Sequence, residues 1–262
     1  MNKKIFMIII TSITILCIIA GTFYHFRYTM SGVVNVGKNI SKAVRNGFKS
    51  GEDWDFDMDF DEDFDADSDD TILPSKHTFT NPLEDFDSIA IKGNVMGISI
   101  KRGDRFEISG SYNKDPLKPS FSVSGGTLKV SQPGYRRKLV TNGNCKIEIT
   151  VPFGTNLDTV DINVDVGAVS VEGVDLDQAT INTDVGAIAF KNVEFRDLTA
   201  NSDVGAISLE LLHPVSEYTI EAKSDVGAIQ VNNSNVKRRY NQTGSSNKKI
   251  TIKTDVGGIE VK

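Results

Sequence analysis

Five aspartates recur with a glycine two residues on: Asp165 with Gly167, Asp184 with Gly186, Asp203 with Gly205, Asp225 with Gly227 and Asp255 with Gly257. Carboxylates repeated in this way can do one of two things. They can gather a divalent cation, which takes oxygen ligands from several acidic side chains. They can instead fold back and accept backbone N–H groups that a tight turn leaves unpaired. Stacked at roughly 4.8 Å, two carboxylates repel by about 1 kcal/mol in water and about 3.5 kcal/mol at an effective dielectric of 20, which calcium would relieve. Calcium rolls, however, have a nine-residue period and far more glycine. The aspartates therefore read as solvated turn caps and the glycines as structural turn residues able to take positive φ; no metal is expected.

Other reactive groups are sparse. The three histidines, His25, His77 and His213, lack metal-ligand spacing, and Cys17 and Cys145 make neither a zinc site nor an internal disulfide. There is no Gly-x-Ser-x-Gly elbow and no phosphate loop. Solenoid enzymes that cleave polysaccharides work with surface Asp, Lys and Arg, but no repeated strand here sets an Asp beside an outward Arg. No catalytic residue and no cofactor are assigned, and the chain reads as a non-enzyme. Two basic runs remain, Arg136-Arg137-Lys138 and Lys237-Arg238-Arg239, the second followed by Lys248-Lys249. They are either candidate contacts for an anionic polymer or lipid headgroups, or solvated loops balancing nearby acids. No aromatic platform accompanies them and the formal net charge is −6, so nucleic acid is not an expected partner.

The elements that position these residues follow from the repeat. Aligned on Asp, the copies read NVDVGAVSV, NTDVGAIAF, NSDVGAISL, KSDVGAIQV and KTDVGGIEV, at intervals of 19, 19, 22 and 30 residues. A period near twenty is that of a solenoid whose coils stack on one another. Apolar residues lie five and three before each Asp, as in Val160 and Ile162, and four and six after it, as in Val169 and Val171. Such period-two alternation predicts short strands with one buried face, and no copy shows a 3.6-residue period. The expected fold is all-β: a parallel β-helix-like solenoid of about 19-residue coils over residues 158–262. A third short strand is expected to close the earlier coils at Val174 and Leu176, and again at Val193 and Phe195. "SIAIKGNVMGISI", from Ser88, fits the register as a degenerate first coil with Asn94 for Asp and Met96 for Gly. Residues 76–157 are expected to form an irregular β layer around it, with a hairpin turn at Gly125-Gly126. At the other end Ile259 and Val261 are expected on an open edge, covered by the loop 232–249 or by a second copy, with Glu260 and Lys262 guarding it. A monomer or weak homodimer is the expectation.

The N-terminal quarter obeys other rules. After residues 1–4 comes a stretch of 22 residues without charge, 5–26, long enough for a transmembrane anchor. No small-x-small cleavage site follows it. Residues 27–50 are basic, with Val33, Val36, Ile40, Val44 and Phe48 at helical spacing, suiting either an interfacial helix or a continuation of the anchor helix. The linker 51–75 holds "EDWDFDMDFDEDFDADSDD", with twelve acids and no base. Such a block repels itself and is expected to be a disordered spacer. Its alternation of Asp with Trp54, Phe56, Met58, Phe60 and Phe64 would permit a strand once cations or a basic partner neutralised it. By charge count alone, the positive-inside rule would hold the C-terminal side in the cytoplasm.

The DVGAIxV corners, "GGTLKV" at 125–130, "IEITVPFGT" at 147–155 and the N-terminal anchor together resemble the adhesin-like β-strand-repeat family of Gram-positive bacteria. This is a domain-of-unknown-function family that includes LiaG-type proteins of envelope-stress operons. The likeness covers roughly residues 84–262 and brings no catalytic residues with it. It implies a β-solenoid on the extracellular face of the cell membrane, single-pass, serving as an envelope scaffold, adhesion or stress-response accessory module. An envelope protein or an anionic wall polymer would be its partner. The competing expectations are a wall-polymer-modifying solenoid enzyme and a cytoplasmic, membrane-associated scaffold that polymerises.

Overall fold

The computed structural model describes residues 76–133 and 143–262. The anchor at 5–26, its flank 1–4, the basic segment 27–50, the acidic linker 51–75 and the run Arg136-Arg137-Lys138 lie outside the described residues. Among the described residues the regular structure is β-strand, with two single-turn 3-10 helices at Asp115–Leu117 and Val215–Glu217.

Each repeat is two strands joined by the Asp-Val-Gly corner. In chain order these are β8 (Asn156–Val166) with β9 (Val169–Glu172), β10 (Asp175–Val185) with β11 (Ile188–Val193), and β12 (Asp197–Val204) with β13 (Ile207–Leu211). After them come β14 (Thr219–Val226) with β15 (Ile229–Val231), and β18 (Lys249–Val256) with β19 (Ile259–Val261). The first strand of each pair lies in one parallel sheet and the second in a facing sheet. Registers match the sequence alignment: Ile181 stands beside Ile162 and Ala200, and Ile188 beside Val169 and Ile207. The apolar positions named above point between the sheets and are buried. Each fully buried Ile, Val or Leu stabilises the stack by roughly 1.5–3 kcal/mol. The expected third strand does not form separately: Leu176 falls within the long β10 and Val193 ends β11, pairing with Leu211 past a register shift, while an isolated bridge joins Asp175 to Glu194.

Coil order in space departs from coil order in sequence. The strand β18 pairs in parallel with both β12 and β14, and β19 with both β13 and β15. The last coil in sequence is therefore intercalated, and β14 with β15 forms the end of the stack. The expectation of an open edge at Ile259 and Val261 is overturned, because both are buried between neighbours and Glu260, 6% exposed, lies between Ser208 and Gln230. The irregular intervals carry the physical reason. The step of 22 residues lets the chain cross one vacant strand position through the 3-10 turn at Val215–Glu217, and the step of 30 lets it return to fill it. On the way back, the chain lays β16 (Ser234–Val236) antiparallel on β15 and β17 (Arg239–Gln242) antiparallel on β14. The loop 232–249 thus does cover an end, but the end of the fourth coil.

At the opposite end β2 (Ser88–Val95) and β3 (Gly97–Gly103) form the degenerate first coil, pairing with β8 and β9. Around it lie β1 (His77–Pro82), β4 (Glu107–Tyr112), β5 (Ser120–Ser124), β6 (Thr127–Ser131) and β7 (Cys145–Pro152). The hairpin of β5 and β6 turns at Gly125 (φ 59°) and Gly126 (φ 74°), the two-residue geometry that a Gly-Gly pair permits. Gln132, 8% exposed, stands in for a missing coil. Its Oε1 accepts the N–H groups of Asn94 and Val95 at 2.9 and 3.0 Å, and its Nε2 donates to the carbonyls of Val95 and Leu117 at 3.0 and 2.9 Å.

The corner glycines are required by closeness, and positive φ, expected at all five, is found only at Gly227 (φ 154°) and Gly257 (φ 158°). Gly167, Gly186 and Gly205 do not have positive φ. Instead, a Cβ on Gly205 would sit 1.8 Å from the carbonyl oxygen of Gly186, one on Gly186 would sit 1.6 Å from that of Gly167, and one on Gly257 1.8 Å from that of Gly205. Buried hydroxyls complete the contact: Ser202 donates to the Gly186 carbonyl at 3.0 Å, Thr254 to Gly205 at 3.1 Å and Ser224 to Gly257 at 2.9 Å. Gly205→Ala is therefore expected to destabilise by about 3 kcal/mol through overpacking, whereas Gly154→Ala, at φ 82° with open space around it, is expected to lose about 1 kcal/mol through backbone strain alone. Urea unfolding of the two variants checks this, and equal losses would refute the close-approach account. Val261→Ala is expected to lose about 2 kcal/mol, as for a buried residue; a negligible loss would return it to an exposed edge.

Candidate functional site at the coil corners

Three rows of outward residues run along the corner. The first lies two residues before the aspartates and reads, in stack order, Lys92, Asn163, Asn182, Asn201, Lys253, Lys223. Its centre is an amide ladder: Asn201 Nδ2 donates to Asn182 Oδ1 and Asn182 Nδ2 to Asn163 Oδ1, both at 2.9 Å, and Asn163 Nδ2 donates to Asp161 Oδ1 at 2.9 Å. Identical side chains one strand apart present a donor to each acceptor, so the ladder follows from parallel in-register stacking.

The second row is the carboxylates, in the order Asp165, Asp184, Asp203, Asp255, Asp225. Among the described residues none of them accepts a backbone N–H, so they are not turn caps. The corner N–H groups are used between coils: Gly167 donates to the Val185 carbonyl and Gly186 to that of Val204, both at 3.0 Å. Lysines satisfy one end of the row, with Lys223 Nζ 2.7 Å from Asp225 and Lys253 Nζ 2.9 Å from Asp255. Where asparagines replace these lysines the carboxylates lack a lysine of their own coil: Asp203 feels Lys253 of the next coil, and Asp165 faces the charge of Asp184. Burial, with the Asp184 charge beside it, pushes the Asp165 carboxyl above the ordinary range, while the hydrogen bond from Lys223 holds Asp225 below it.

The third row is the valine after each Asp. Val95, Val166 and Val185 are half-buried, but Val204, Val256 and Val226 are 40%, 44% and 58% exposed, an apolar stripe that widens toward the lysine end. Beyond that end stand Lys237, Arg238 and Arg239, all exposed, with Arg239 paired to Lys223 across the sheet. The structure thus joins this predicted basic run to Lys223 and Lys253, and leaves Lys248 and Lys249 apart on another face.

Sequence reasoning missed a cluster there. Glu194 takes Lys248 Nζ at 2.6 Å and His213 Nε2 at 2.7 Å, while His213 Nδ1 lies 3.9 Å from Glu217. Lys248 also stands 5.6 Å from the ring centroid of Tyr218. Partial burial works against the Glu194 carboxylate, but hydrogen bonds from Lys248 and His213 outweigh it and hold its pKa low. Burial, then the Glu194 charge, push the Tyr218 hydroxyl up to about 12. The cluster clasps the outward and return crossings, 212–218 and 243–248, onto the turn of an earlier coil. Spacing in sequence could not reveal it, since its members come from three separate coils.

The two ends of the carboxylate row respond to pH with opposite sign. A raised Asp165 contributes stability that is present below the ordinary carboxyl pKa and lost as pH rises through its folded value; a lowered Asp225 contributes stability present at neutral pH and lost as pH falls through its folded value. Asp165→Asn is therefore expected to raise the Tm slightly at pH 7 and Asp225→Asn to lower it, both differences vanishing in strong acid. Melting curves from pH 3 to 7 check this, and same-sign shifts would contradict the charge assignment.

Comparison with known proteins agrees with this architecture. A candidate cell adhesion protein from Clostridium sporogenes ATCC 15579 matches with a TM-score of 0.54 and 17% identity over 71% of this chain and 99% of that one. At that identity the likeness is one of fold. A candidate adhesin from Bacteroides fragilis NCTC 9343 aligns over 73% of this chain and 100% of its own at 18% identity, but its TM-score of 0.37 is too low to carry an argument. No curated protein matches the chain. The model of the Toastrack DUF4097 family matches residues 86–262, the whole stack from the degenerate first coil to the intercalated last one, and the chain belongs to that family.

Proposed function

We propose that this protein is a membrane-tethered, non-enzymatic solenoid on the extracellular face of the cell membrane, held by residues 5–26 and serving as an envelope scaffold, adhesion or stress-response accessory module. The observation that carries the reading is the corner surface. Its amide, carboxylate and valine rows repeat at the strand spacing of about 4.8 Å, a flat periodic face suited to a partner that is itself extended or repetitive. The cluster of His213, Glu194 and Lys248, which brings together groups capable of proton transfer, is engaged in holding two chain crossings in place. The description of the Clostridium protein as a candidate for cell adhesion supports the same class of function. An envelope protein or an anionic wall polymer is the partner this reading calls for, with Lys237, Arg238 and Arg239 at the basic end as contacts.

The test is protease shaving of intact cells carrying the full chain with a C-terminal epitope. Digestion of the epitope, with a cytoplasmic marker left whole, is expected. An epitope that survives until the cells are lysed would place the solenoid inside and end the extracellular reading.

A further inference from the structure

The end of the stack formed by β14 and β15 combines three features. In the first sheet β17 is the edge strand. The Ser224 N–H bonds to the Arg238 carbonyl at 3.0 Å, so by antiparallel alternation Tyr240 and Gln242 turn their backbone groups toward β14, and Arg239 and Asn241 turn theirs outward. That outward edge is a template for one more strand. Second, a cavity of about 310 Å³ opens between β16 and β17, lined in part by Val215, Val231, Val236, Tyr240 and Gln242. It lies in the size range that accepts organic groups. Third, the solvent face beside the edge carries Arg239, continued by Lys223 and Lys253, with Lys237 and Arg238 exposed just before the strand.

A strand that satisfied all three would alternate apolar side chains, aimed at the cavity, with acidic ones, aimed at the basic row. The chain contains such a segment outside the described residues: Asp53-Trp-Asp-Phe-Asp-Met-Asp-Phe-Asp61, acid at every odd position and apolar at every even one. We propose that residues 53–61 of a second copy add as a strand to the outer edge of β17, their aromatic side chains entering the cavity between β16 and β17 and their aspartates meeting Lys237, Arg238 and Arg239. Neutralisation by these cations removes the self-repulsion that otherwise opposes an extended pairing of nine residues that include five acids.

The second copy follows from distance. The linker enters the fold at β1, the first of ten strands in its sheet, whereas β16 is the last. Nine spacings of about 4.8 Å make the stack roughly 43 Å long. Residues 62–76 would have to run almost fully extended, about 50 Å at 3.3 Å each, to carry their own segment along the stack and around to β17. A segment supplied by a neighbouring copy needs no such span. Because the linker enters the fold at the end opposite β17, the contact is head-to-tail, joining copies into a ring or a filament. The inference holds for either side of the membrane and does not rest on the proposed function.

The test uses the full chain in detergent micelles, as two differently tagged populations, one bearing a benzophenone photo-crosslinker in place of Phe60. Crosslinks from the first tag to residues 236–242 of the second are expected. They should fall at least tenfold when the acceptor carries Lys237→Glu, Arg238→Glu and Arg239→Glu, with its melting curve checked for intact folding. They should also fall when the donor carries Phe56→Ser and Trp54→Ser, changes remote from the folded domain. Crosslinks within one chain only, crosslinks that ignore the charge reversal, or equal competition by polyaspartate and by a peptide of residues 53–61 would each overturn the proposal.

Discussion

The stack depends on one contact, the carbonyl of each corner glycine lying against the Cα of the next. Parallel strands can only be held in register along the length of a solenoid if their bends also nest, and a bend carrying a Cβ cannot. With hydrogen alone at Gly186 and Gly205, the carbonyls of Gly167 and Gly186 approach closely, and that of Gly186 also receives the hydroxyl of Ser202, three residues before Gly205. Everything outward of this contact is carried at the same spacing. The amide ladder, the carboxylate row and the valine stripe are consequences of a backbone that allows no other registration.

That shared spacing sorts the charges of the outer surface along the stack. The inward face repeats almost unchanged from coil to coil, but the residue two before the aspartate changes from Asn163, Asn182 and Asn201 to Lys253 and Lys223. Intercalation places the two lysine coils side by side. The carboxylates with no lysine two residues before them therefore gather in the middle coils, between Lys92 at one end and Lys253 and Lys223 at the other, giving one corner edge an acidic centre and basic ends.

The coils were legible in the sequence because burial writes itself as alternation: Ile181 and Ile188 on either side of Asp184 could face nowhere but a core. The corner was legible as a corner, but not for its cause. A glycine needed for positive φ and one needed for close approach read alike, and they part only when the neighbouring carbonyl is seen. The aspartates were misread as caps because their backbone neighbours find partners in the next coil, which no single repeat reveals. Stack order was hidden for a similar reason, since KSDVGAIQV and KTDVGGIEV fit either position equally well; the intervals of 22 and 30 residues were its only trace. Gln132 and the Glu194 clasp left no pattern at all, each being assembled from residues that touch only after the coils have stacked.

Intercalation also sets an order of events in time. The strands β18 and β19 are synthesised after β14 and β15, yet they lie between those strands and the rest of the stack. A simple solenoid can grow coil by coil as the chain emerges. Here the fourth coil has no parallel neighbour to settle on until the fifth has been made, so the final two coils and their antiparallel covers must assemble together. The first three can wait as a preformed platform, and the last step couples contacts distant in sequence, which is slow. In a newly made chain the edge of β12 and β13 stands open during that interval, and a chaperone or an early-arriving neighbour would meet the protein there first.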